Sequence, residues 1–125
     1  MKNKKYLFVY GTLKKGNALN NLISKGKFIG NALIKGYKMF CYFEVPVIQK
    51  RNYSSTPLKV FGEVYEFSER DYYNLVPRLD YIEQNYLRIT EDVYLIDEDN
   101  KKIEVEVYAY QGNTRFMKEI IDGKF

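Results

Sequence analysis

The stretch "LKVFGEVYEF", Leu58 to Phe67, alternates about Gly62, with Phe61, Glu63, Tyr65 and Phe67 on one side and Val60, Val64 and Glu66 on the other. It reads as a strand that presents large groups to both faces. A glycine inside such a strand marks a bulge or a close approach by another backbone. Working outward, "KYLFVY" ahead of Gly11 reads as a buried first strand, and "KFIGNALIKGYKMFCYF" and "PVIQK" continue the pattern, with Gly30 and Gly36 placed for bulges or bends. "NYLRITEDVYLID" and "KKIEVEVYAYQG" flank the turn "EDNK" as a long antiparallel hairpin, in which Ile103, Val105, Val107 and Ala109 share one face.

Helical signals are fewer. Leu19, Leu22 and Ile23 recur at helical spacing before Gly26, which allows at most a short helix. Ser68 is a natural N-cap for "ERDYYNLVPRLDYIE", with Asp71 completing a capping-box-like pattern, and Pro77 predicts two helical pieces rather than one. Phe116, Ile120 and Ile121 in the tail are spaced for a terminal helix. "RNYSSTP" reads as a loop. With 125 residues there is room for one hydrophobic core, so residues 1–125 are expected to form one domain. The fold class is α+β, a small mixed, mostly antiparallel β-barrel with short helices packed at its side.

Composition removes several chemistries. The chain contains no His, so the usual zinc ligand sets and every Ser-His or Cys-His arrangement are excluded. The single cysteine, Cys41, excludes an intramolecular disulfide, and its aromatic-rich strand predicts a buried, inert thiol. The net charge of +4 comes from dispersed lysines such as Lys4, Lys5, Lys101 and Lys102 at strand ends, which suits soluble sheet edges better than a nucleic-acid face. "DEDN" at 97–100 begins like a calcium loop but lacks the glycine and closing glutamate, so it reads as an exposed turn. The apolar stretch "YLFVY" is too short for a signal-peptide core and no stretch approaches a membrane span, which predicts a cytoplasmic protein without a membrane partner.

"VYGTLKKGNA", Val9 to Ala18, has the glycine spacing of a phosphate loop, yet Asn17 and Ala18 stand where lysine and a hydroxyl are required. No dinucleotide fingerprint is present either. What survives is a strand that ends in Gly-Thr and can aim backbone N–H groups at a small anion such as a carboxylate. The plainer alternative is a turn in which Gly11 only supplies positive φ. In "LDYIEQNYLR", Asp80 and Glu83 lie three apart and share a helix face, so either can serve as a general base if burial raises its pKa. A solvated helix face is the ordinary alternative.

"VYGTLKKG" followed later by "LDYIEQNYLR" resembles the γ-glutamylcyclotransferase-like family, and the resemblance extends through "VFGEVYEF" and "VEVYAY" over nearly the whole chain. It implies a barrel with an anion-holding loop facing one catalytic glutamate. On that basis Tyr10, Gly11, Thr12 and Leu13 are expected to bind substrate and Glu83 to act as acid/base. The implied reaction is cyclisation of a γ-glutamyl amine or γ-glutamyl amino acid to 5-oxoproline with release of the amine. Such an enzyme takes a small-molecule γ-glutamyl substrate and needs no cofactor, metal, nucleic acid or membrane; the γ-glutamylamine type is the nearest in form. The sequence departs from the family where Gln84 follows Glu83 in place of glycine, which bears on substrate choice. A binding module of the same fold, holding a small carboxylate or γ-glutamyl ligand without turning it over, is the competing expectation.

Overall fold

The computed structural model describes residues 3–51, 58–83 and 85–125. Among them the chain forms β1 (Lys4–Val9), β2 (Lys27–Lys35), β3 (Tyr37–Tyr42), β4 (Val45–Lys50), β5 (Lys59–Ser68), α1 (Glu69–Ile82), β6 (Tyr86–Leu95), β7 (Lys101–Tyr110) and β8 (Lys118–Ile120). A single 3-10 turn at Asn20–Ile23 takes the place of the short first helix. Strands β1, β5, β2, β6 and β7 close a barrel in that order, while β4, β3 and β8 make a separate three-stranded sheet. Every pairing in the barrel is antiparallel except the contact of β1 with β7, where Leu7 faces Glu106. The fold is therefore the expected mixed, mostly antiparallel barrel.

The period-2 pattern explains how the barrel closes. Val60 and Val64 of β5 point into the interior with Phe8, Val105 and Val107, while Tyr65 and Phe67 point outward into a second cluster beneath α1. Both faces of β5 are thus buried, each by a different layer. A Cβ on Gly62 would lie 2.3 Å from the Val9 carbonyl oxygen and 2.7 Å from the Phe8 ring, so only glycine lets β1 approach β5 here. The irregularities expected in β2 fall at the register shift between Phe28 and Gly30 and at Gly36, which joins β2 to β3. The β6–β7 hairpin closes through the five residues 96–100, a 3-10 turn at Ile96–Glu98 followed by Asp99 and Asn100, both left-handed, as Asp and Asn tolerate.

Helix α1 begins as the sequence predicts, with the Ser68 hydroxyl accepting the Asp71 N–H at 3.1 Å. It is not divided at Pro77; one helix runs from Glu69 to Ile82. The buried face of Tyr72, Leu75, Val76 and Leu79 accounts for this, because each such side chain contributes about 1.5–3 kcal/mol against a proline cost of about 3 kcal/mol. The carbonyl that Pro77 leaves without its helical partner belongs to the exposed residue Tyr73, on a side that water can reach.

Two further expectations are corrected. The tail is not helical: Lys118–Ile120 forms β8 along the edge of β3, with Met39 opposite Ile120. The unpaired backbone edge of β3 offers more hydrogen bonding than an isolated turn of helix, and Phe116 and Ile121 stay exposed instead of forming an apolar stripe. Cys41 is half-buried, not buried, since it lies near the end of β3 where the strand leaves the core. The loop expected at "RNYSSTP" lies, apart from Arg51, outside the described residues. Among the described residues no helix is long and apolar enough to cross a membrane.

Candidate active site

The end of β1 opens into a cavity whose empty space is about 400 Å³, counting its mouth to solvent. Tyr10, Gly11, Thr12 and Leu13 form one wall, Val45 and Pro46 of β4 another, and Glu83, Tyr86 and Tyr108 face them. All five residues expected to form the site therefore line one space. Asp80, the other carboxylate considered, does not line it.

The loop after β1 is shaped by its own carbonyls. The Gly11 oxygen accepts the Lys14 N–H at 2.9 Å and the Asn17 amide at 2.8 Å, Thr12 accepts the Leu19 N–H at 2.9 Å, and Leu13 accepts the Asn20 amide at 2.8 Å. Among the described residues no partner takes the N–H of Gly11, Thr12 or Leu13. A loop whose carbonyls are satisfied internally leaves its N–H groups for a ligand. Asn17, which breaks the phosphate-loop pattern, is thus a loop brace.

Gly11 does not supply positive φ; the left-handed glycine of the loop is Gly16. A Cβ on Gly11 would meet the Pro46 ring at 2.3 Å, so glycine is required for close approach of β4 to the loop. Glu63 clamps the far end. Its carboxylate, 8% exposed, accepts the Lys15 N–H at 2.8 Å and the Tyr65 hydroxyl at 3.1 Å. The sequence placed Glu63 on a strand face, and the alternation alone did not distinguish its role from that of Glu66, the other glutamate of β5.

Glu83 is the residue after α1. Its N–H still bonds the Leu79 carbonyl at 2.8 Å, but its φ of −100° and ψ of 46° turn the chain out of the helix. Asp80 and Glu83 therefore part company. Glu83 turns to the cavity, and burial alone pushes its carboxyl up to about 7. Its charge in turn helps raise the Tyr10 and Tyr86 hydroxyls, after burial and, for Tyr10, the neighbouring Tyr86, which marks both rings as its neighbours. Burial also pushes the Asp80 carboxyl up, but hydrogen bonds from Tyr108 and Arg88 and the guanidinium charge outweigh it and hold it below the usual carboxylate range. Asp80 is held ionised and is the wrong group for a base working near neutrality.

The remaining walls were less visible in the sequence. Tyr10 donates to the Tyr108 carbonyl at 2.8 Å, which fixes the end of β1 against β7. Tyr86 donates to the Pro46 carbonyl at 3.4 Å and meets Tyr110 edge-on with ring centroids 5.8 Å apart. Pro46 has no motif to announce it; its place follows from how the second sheet packs on the barrel mouth.

The family profile described as "Gamma-glutamyl cyclotransferase, AIG2-like" matches residues 7–124. The chain belongs to this family. Its fold is shared with an uncharacterized protein of Pyrococcus horikoshii, PH0828, at 24% identity and TM-score 0.73, covering 97% of this chain and 89% of the other. An AIG2-like protein of mouse is similar at 22% identity and TM-score 0.73, with 98% and 88% covered. A protein described as gamma-glutamyl cyclotransferase is similar at 14% identity and TM-score 0.66, with 94% and 70% covered. At these identities the likenesses show the fold alone. Among curated proteins none matches the sequence.

Proposed function

We propose that this γ-glutamylcyclotransferase-family chain cyclises γ-glutamylamines, or γ-glutamyl amino acids, to 5-oxoproline and releases the amine. The observation that carries the reading is Glu83, a carboxyl raised to about 7 by burial, lining one cavity with residues 11–13, whose N–H groups no described residue engages.

The chemistry suits that arrangement. The nucleophile is the substrate's own α-amine, which closes a five-membered ring on the γ-carbonyl, so ring closure replaces an enzyme nucleophile. Ionised Glu83 takes a proton from the α-ammonium, and the freed amine attacks the carbonyl carbon. The proton passes to the departing nitrogen as its bond to that carbon breaks. The proton remaining in excess on the attacking nitrogen follows the same route, so 5-oxoproline forms and the amine departs as an ammonium. A carboxyl near 7 can both accept and return a proton at neutral pH. The N–H groups of residues 11–13 hold the substrate α-carboxylate or the oxyanion that develops on the carbonyl.

Mass spectrometry of the full chain incubated with γ-glutamylamines tests this. The expected result is 5-oxoproline and free amine in equal amounts. Thermal stabilisation by the same compounds with no 5-oxoproline would identify a binding module instead.

A further inference from the structure

The mouth of the cavity adjoins a second depression. Val45 and Tyr86 line both the cavity and this wider groove, about 1160 Å³ counting its open side, which continues past Tyr110. One bank is the β3–β4 turn with Tyr42 and Phe43, and the other is the segment before β8 with Phe116 and Met117. Phe43 is 82% and Phe116 86% exposed, and the Tyr42 and Phe43 rings meet edge-on at 4.4 Å between centroids. Phe43 has a φ of 48°, in the left-handed region where Asn or Gly is the ordinary residue. A bulky ring thus stands in water at a position that its backbone disfavours. None of the described residues lining the groove is charged, in a chain that is 29% charged.

We infer that this groove receives the amine half of the substrate, and that this half is an uncharged alkyl or aryl group. The inference rests on the cyclotransferase reading, which puts the γ-glutamyl end in the cavity and leaves the amine half covalently tethered at its mouth. Through Val45 and Tyr86 that mouth leads into the groove. An apolar amine substituent there covers the exposed rings, which is the ordinary gain for apolar surface removed from water. The carboxylate of a γ-glutamyl dipeptide or a second ammonium would lose water without finding an ionic partner among the lining residues. The Arg115 guanidinium lies 5.9 Å from the Phe116 ring centroid, but it is exposed and outside the lining, so solvent screens it.

Initial rates of 5-oxoproline formation by the full chain on γ-glutamyl-benzylamide, γ-glutamyl-putrescine and γ-glutamyl-alanine test the assignment. The expected kcat/KM for the benzylamide exceeds each of the others by about tenfold or more. In Phe43→Asn, which suits the left-handed backbone, and in Phe116→Ser, on the opposite bank, that ratio falls toward one through KM. Equal rates on the three compounds, or faster rates on the charged two, overturn the groove assignment and leave the cyclotransferase reading standing. No 5-oxoproline from any of the three overturns both.

Discussion

The Tyr108 hydroxyl donates to the Asp80 carboxylate at 2.6 Å, tying the last turn of α1 to β7 just before the chain reaches Glu83. Arg88 Nε adds a second bond to Asp80 at 3.3 Å while its Nη1 grips Glu106 at 3.0 and 3.1 Å, and Tyr72 donates to the same Glu106. The end of the helix is pinned twice at Asp80, and its first turn once through Tyr72. Asp80 is then a positioning residue for Glu83. Asp80→Asn is expected to lower kcat by about tenfold with little change in KM, at a stability cost of about 1 kcal/mol. A purely structural role predicts the stability loss alone, so kinetics and urea unfolding of the same variant decide between them.

Glu63, which does not line the cavity, braces the loop at Lys15. Glu63→Ala would leave the Lys15 N–H and the Tyr65 hydroxyl without their acceptor, at an expected cost of about 1–3 kcal/mol. Glu63→Gln keeps an accepting oxygen and should cost less. Equal losses for the two variants, measured by chemical denaturation, would show that the loop does not depend on this clamp.

Gly11 and Gly16 make a matched comparison. Gly11→Ala pushes a methyl group into Pro46 and is expected to destabilise by about 1–3 kcal/mol and to reduce turnover sharply, because the displaced loop forms a wall of the cavity that Glu83 lines. Gly16→Ala meets no atom but strains a backbone at φ 84°, costing roughly 1 kcal/mol with turnover largely kept. Reversal of that order in thermal melts and rates would remove the close-approach explanation.

The raised carboxyl of Glu83 has a stability consequence of definite sign. In the folded chain it binds its proton up to about 7, whereas an ordinary unfolded glutamate releases it near 4.5. Between those values the folded state holds more protons, so its stability falls as pH rises. After allowance for partial solvent access the loss is on the order of 2 kcal/mol by pH 7. Glu83→Gln should be no more stable than the native chain at pH 4 and more stable at pH 8, a difference that melts across this range will display.

How much of this was legible in the sequence differs from element to element. Strand β5, the β6–β7 hairpin and the Ser68 cap follow from alternation, turn residues and a hydroxyl at the right place, all of them local signals. Pro77 misled because local propensity cannot weigh the tertiary burial of Leu75, Val76 and Leu79. The tail misled because β8 exists only where β3 offers it an edge, a partner far away in the chain. In the site, Tyr10–Leu13 and Glu83 stood out through the resemblance, while Pro46, Tyr86 and Glu63 acquire their places only through packing. Asp80 and Glu83 looked alike on a helix face, and one residue's exit from the helix separates them.

The central claim is that Glu83 moves the proton, and the pH dependence of kcat/KM for the best γ-glutamylamine, compared between the native chain and Glu83→Gln, tests it most directly. The native chain should gain activity with pH through a single ionisation near 7, and Glu83→Gln should lose at least about a hundredfold in rate together with that ionisation. A Glu83→Gln variant that keeps the native rate and the same limb near 7 would contradict the account.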